Sequence, residues 1–151
     1  MKTLVVFYSR TGRSKKVDEK ISQRVKGDLD EIIDLKNRKG ILGYIISGKD
    51  GYQKNLTKIK YKKDPSKYGL VVIGGPTWIS MTPAIRTYLL KNNQKIKKIA
   101  FFATFGGNGD KNLKEMQEIT KKPIATLGLR DKKIDIGNYK REVEEFCNKI
   151  K

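Results

Sequence analysis

Apolar residues fall along the chain in five short blocks separated by stretches of helical spacing. Leu4-Val5-Val6-Phe7-Tyr8 is short and rich in β-branched and aromatic residues, without polar alternation, which predicts a buried strand. Val17, Ile21 and Val25 then recur every four residues, one face of a helix. Residues 28–34 mix apolar and acidic side chains and read as a second strand nearer an edge. Residues 36–51 scatter Gly40, Gly43, Gly48 and Gly51 among Ile41, Leu42, Tyr44, Ile45 and Ile46. This segment reads as a short helix or irregular excursion followed by loop. Residues 54–63 hold five lysines before Asp64-Pro65-Ser66, a solvated approach to the next strand rather than a domain linker.

Leu70-Val71-Val72-Ile73 is apolar throughout and predicts a central third strand. Thr82 is placed to cap a helix with Pro83 at its first position, and Ala84, Ile85, Tyr88 and Leu89 give that helix its inner face. Ile99-Ala100-Phe101-Phe102-Ala103 makes a fourth strand. Leu113, Met116 and Thr120 mark a helix ending before Pro123, and Ile124-Ala125-Thr126-Leu127 makes a fifth strand. Tyr139, Val143, Phe146, Cys147 and Ile150 share one stripe of the last helix, which makes Cys147 a core residue rather than a reactive one. Strand and helix alternate five times, and strands one, three and four are nearly free of charge. The expected architecture is α/β: one domain, residues 1–151, with a doubly wound parallel sheet and helices on both faces.

Composition removes several chemistries. With no histidine and one cysteine, the chain offers no histidine acid or base, no Cys/His zinc site, no cysteine-held iron–sulfur cluster and no internal disulfide. Redox chemistry would need an added cofactor. The N-terminal apolar run is too short for a signal sequence and nothing approaches a membrane span, so a cytoplasmic location is expected. Net charge is +18, from 34 basic and 16 acidic residues. That balance suits nucleic acid, anionic lipid or an acidic protein partner, yet the lysines are dispersed and accompany no nucleic-acid-binding motif.

Candidate chemistry sits in three loops. Ser9-Arg10-Thr11-Gly12-Arg13-Ser14 is a strand-to-helix turn whose hydroxyls, glycine and first-turn amides converge on one point. Free N–H groups and the positive end of a helix dipole favour a phosphate there. The third strand runs into Gly74-Gly75-Pro76-Thr77-Trp78-Ile79-Ser80, which carries the only tryptophan. The fourth runs into Thr104-Phe105-Gly106-Gly107-Asn108-Gly109-Asp110, where glycines let backbone approach a flat ligand. In a parallel sheet all three emerge at the carboxyl edge, where ligands bind. A phosphate subsite beside an aromatic and two backbone-rich loops describes a mononucleotide with a planar ring.

Over nearly its whole length the chain resembles the flavodoxin family in its short form, through residues 8–14, Gly75-Pro76-Thr77-Trp78 and the 104–109 loop. The resemblance implies strand order 2-1-3-4-5 and FMN as cofactor, with flavodoxin being the standing example of that order. It further implies that Ser9, Arg10, Thr11, Gly12, Arg13 and Ser14 hold the phosphate. Pro76, Thr77, Trp78 and Ile79 would flank the ring, and Thr104, Phe105, Gly106, Gly107, Asn108 and Gly109 would line its other side. The implied function is electron transfer between redox protein partners, acidic ones here. The alternative is a small FMN-dependent NAD(P)H:quinone or similar oxidoreductase, with Tyr44, Tyr52 and the Gly40–Gly51 excursion forming part of a pocket over the flavin. A colourless nucleic-acid-binding module is a more distant reading. Two departures stand out. Ile79 replaces the glycine that many members place after the aromatic, and positive φ is costly for isoleucine. The family is also typically acidic, whereas this chain is basic, which should make the reduction potential of a bound flavin less negative.

Overall fold

The computed structural model describes residues 1–151. Its elements run β1 (Thr3–Phe7), α1 (Arg13–Val25), β2 (Asp28–Glu31), β3 (Ile33–Asp34), α2 (Gly40–Tyr52), β4 (Ile59–Lys60) and β5 (Leu70–Pro76). They continue with α3 (Pro83–Asn92), β6 (Ile99–Phe105), α4 (Asp110–Ile119), β7 (Thr126–Arg130), α5 (Asp131–Asp135) and α6 (Lys140–Ile150). The main sheet is parallel in the order β2-β1-β5-β6-β7, which is 2-1-3-4-5 when its five strands are counted alone.

Alternate residues of the central strands feed two separate cores, which is why those strands lack polar alternation. Val5, Phe7, Val72, Ala100 and Phe102 pack with Val17 and Ile21 of α1 and with Val143, Phe146 and Cys147 of α6. Leu4, Val6, Val71, Ile73 and Phe101 pack on the other face with Ala84, Ile85, Tyr88 and Leu89 of α3 and Met116 of α4. The Cys147 thiol is fully buried in the core against α1 and α6, and burial raises its pKa, so it is unreactive.

Four sequence expectations are modified. The second strand is broken at Ile32: Asp28–Glu31 pairs with β1, whereas Ile33–Asp34 turns away to pair antiparallel with β4. The lysine-rich approach is therefore partly strand, and buried Asp30 anchors it by accepting the amides of Lys62 and Lys63. The fifth strand starts at Thr126 rather than Ile124. Thr82 occupies the N-cap position of α3 but makes no capping hydrogen bond, and its hydroxyl is buried without a partner.

Within the 36–51 segment the ambiguity is removed: from Gly40 to Tyr52 the chain forms a full helix, α2, that packs inward through Gly43, Ser47, Asp50 and Gly51. Gly43 lies directly against the backbone of Arg38, where any Cβ would overlap the Arg38 carbonyl. Gly43→Ala should therefore displace α2 and cost about 1–3 kcal/mol, as overpacked sites do, measurable by urea denaturation. A stability equal to wild type would show that the helix is free to shift.

Candidate functional site

The carboxyl ends of the sheet strands open onto a cavity of about 450 Å³, within the range of small-molecule sites. It lies beside β1, which has β2 on one side and β5 on the other, so strand order reverses here. Arg10, Thr11, Arg13 and Ser14 form one wall, Pro76, Thr77, Trp78 and Ile79 a second, and Thr104, Gly106 and Gly107 a third.

The first wall is an anion cradle. The Gly12 N–H donates to Ser9 Oγ at 3.0 Å, closing the turn. Gly12 sits at φ 91° as the N-cap residue of α1, in the left-handed region that glycine adopts without strain. No side chain caps α1. Its first-turn amides have no intrahelical acceptor and are kept for an external one.

The walls are tied together by short polar contacts. Ser14 Oγ and Thr104 Oγ1 lie 2.9 Å apart in a buried contact joining the first and third loops. The Thr77 amide donates to the Thr104 carbonyl at 2.8 Å, and Asn112 Nδ2 of α4 donates to Thr77 Oγ1 at 2.9 Å. Thr77 also bridges Met81, so the second loop is a small hairpin. Ile79 stands half-exposed on it with no positive φ.

Trp78 is held from behind. Tyr8 meets its ring edge-on at 5.9 Å between centroids, and the Arg38 guanidinium lies 5.2 Å from it. Burial, reinforced by Asp34, pushes the Tyr8 hydroxyl up to about 12 despite the opposing charges of Arg38 and Arg10. It therefore stays neutral and offers no proton-transfer group near neutral pH.

The two arginines of the first loop are both engaged. Arg10 donates to the Arg38 carbonyl at 3.0 Å and to the Gly40 carbonyl at 3.4 Å, with its guanidinium 5.6 Å from the Tyr44 ring centroid. It latches the start of α2 to the cradle. Arg13 forks onto Asp135 at 2.8 and 3.0 Å and lies 3.7 Å from Asp131. Asp131 itself lines the cavity, and burial raises its pKa against the lowering effect of Arg13.

Five expected site residues shape the loops rather than line the cavity. Ser9 and Gly12 form the turn described above. Phe105 packs beneath Gly109, where a side chain would overlap its ring. Asn108 Oδ1 accepts the Asp110 amide, and Gly109 occupies the N-cap position of α4. Conversely, Ser47 and Gly48 line the cavity from within the 40–51 excursion expected to contribute to a pocket, and Asp131 lines it from outside every expected segment. Asp131 directly follows β7, so the rule that pointed to the other strand ends also reaches it. Tyr44 lines the cavity, whereas Tyr52 does not.

A family model described as flavodoxin matches residues 2–150. The chain belongs to the flavodoxin family. Among solved structures it is similar to a flavoprotein from Lactobacillus acidophilus NCFM, determined in complex with FMN. The two are 25% identical with a TM-score of 0.72, over 89% of this chain and 97% of that one. It also shares its fold with two-electron reduced Megasphaera elsdenii flavodoxin, at 14% identity and TM-score 0.60, over 97% of this chain and 98% of that one. No curated protein sequence matches it. This flavodoxin carries a net charge of +18, and no helix is long and apolar enough to cross a membrane.

Proposed function

We propose that this flavodoxin binds FMN and carries electrons between redox protein partners. What supports the reading most is the meeting in one cavity of an uncapped helix N-terminus, a braced tryptophan and a glycine-lined loop. The donor set fits the cofactor. The first-turn amides of α1, with the hydroxyls of Thr11 and Ser14, would take the phosphate. Trp78 and Ile79 would bound the ring on one side, and Gly106 and Gly107 would give it backbone on the other. FMN when bound supplies reversible electron transfer. The chain's own work is to bind, orient and screen the cofactor.

Arg13 is offset by Asp131 and Asp135, so positive potential at the ring would come from Arg10 and the surrounding lysines. At moderate dielectric each such charge near ring distance is worth about 1–4 kcal/mol. The flavin should titrate at a less negative potential than in acidic family members, and a redox titration giving a very low potential would contradict this.

The second reading, an NAD(P)H-dependent reductase of a quinone-like acceptor, draws support from Tyr44, Ser47 and Gly48 on the cavity rim. Anaerobic addition of NADPH to the yellow holoprotein separates the two. Flavin bands that persist support a carrier; rapid bleaching makes the protein a reductase.

A further inference from the structure

Helix α2 is built inside out. Its inward face is glycine, serine and a paired aspartate, whereas Ile41, Leu42, Tyr44, Ile45 and Tyr52 are between 61% and 83% exposed. Ile41, Ile45, Gly48 and Tyr52 follow the i, i+4, i+7, i+11 spacing of a single stripe. Burial of apolar surface therefore does not hold this helix in place. Polar latches do: Arg10 on the Arg38 and Gly40 carbonyls, Arg38 and Lys36 on Asp50, and Ser80 Oγ on the Gly51 carbonyl. Contiguous exposed apolar surface of this kind marks an interaction site.

Charge selects the occupant. Residues 35–63 hold nine basic residues and one acid, Asp50, which is buried. Lys39, Lys49 and Lys54 stand exposed around the stripe. A second copy of the chain would set these lysines against their own counterparts. The stripe also borders the cavity through Tyr44 and Gly48.

We infer that the outer face of α2 docks an acidic protein, its apolar stripe seated in a groove ringed by carboxylates, beside the mouth through which the cofactor exchanges electrons. That the partner is a redox protein rests on the electron-transfer reading; the docking surface itself does not.

The test is an NMR titration of the isotope-labelled protein with an acidic [2Fe–2S] ferredoxin as probe, at low and high salt. The flavin content is read separately from the absorption spectrum. Salt-sensitive binding that perturbs residues 41–52 is expected, weakened at least about tenfold by Ile45→Gln or Lys49→Glu, with the fold and flavin spectrum of each variant unchanged. Absence of binding, or perturbation of another face, would overturn the proposal. So would self-association lost in Ile45→Gln, which would make α2 a homodimer surface. Binding confined to phosphatidylglycerol vesicles would assign the face to a membrane instead.

Discussion

Arg38→Met is expected to lower stability by about 3–5 kcal/mol, the usual cost of removing one member of a buried ion pair. The Arg38 side chain is 4% exposed and reaches Asp34 at 2.6 Å and Asp50 at 2.7 Å, themselves 3% and 5% exposed. Methionine fills similar volume but leaves both carboxylates short of a partner, with Lys36, Asn55 and Thr57 as their remaining donors. Because the guanidinium also backs Trp78, the only tryptophan, its loss should shift the fluorescence emission to the red. Urea denaturation and the emission spectrum check the two effects together. A Met variant as stable as wild type, with unchanged emission, would mean that the network neither holds α2 nor fixes the ring. The same network sets an acid limit. Burial alone would raise the Asp50 carboxyl, but hydrogen bonds from Lys36, Asn55 and Arg38 outweigh it and hold the group at about 2. Its contribution is thus present above the ordinary carboxylate range, and it is lost as pH falls from about 4 toward 2.

Asp18→Ala should have the opposite sign. Asp18 lies on the inner face of α1, wholly buried, and neither carboxyl oxygen has a hydrogen-bond partner. Burial raises its pKa well above the ordinary value, with Glu19 and Glu31 adding to the shift. A group whose folded pKa is raised stabilises fully below its unfolded pKa, near 3.9, and loses that contribution as pH rises toward the folded value. Alanine removes the unpaired group and has better helix propensity. The variant should gain about 1–3 kcal/mol at neutral pH and progressively less as pH falls toward 4. Paired urea titrations at acidic and neutral pH check this. A variant less stable than wild type at neutral pH would show that the carboxylate has a partner in solution.

These two residues also show where the sequence is opaque. Asp18 follows Val17 in an amphipathic pattern that is otherwise polar on both sides, so only packing reveals that it faces the sheet. Arg38 stands between Asn37 and Lys39 in a basic stretch and looks like surface charge until Asp34 and Asp50 are brought to it by the turn at Ile32. Helix α2 was hard to read for a related reason: its apolar residues point outward and glycine and serine face inward, so no apolar stripe marks its buried face. Strands β1, β5 and β6 were legible because both their faces are buried, which leaves an unbroken apolar run. The three loops at their ends could be read by position, since a parallel sheet delivers them to one edge. What position could not show was the division of labour within them. Arg10 latches α2 and Arg13 is paired with two aspartates, leaving amides and hydroxyls as the phosphate donors.

That division makes the phosphate subsite the most direct point of attack. The measurement is a titration of flavin-free protein with FMN and with riboflavin, followed by quenching of flavin fluorescence. Tight binding of FMN is expected, with riboflavin weaker by at least about a hundredfold, because charge-assisted hydrogen bonds to the phosphate contribute about 1.5–3 kcal/mol each. FMN and riboflavin binding equally well, or neither binding, would contradict an anion cradle at Thr11 to Ser14 and with it the assignment of this cavity to the cofactor.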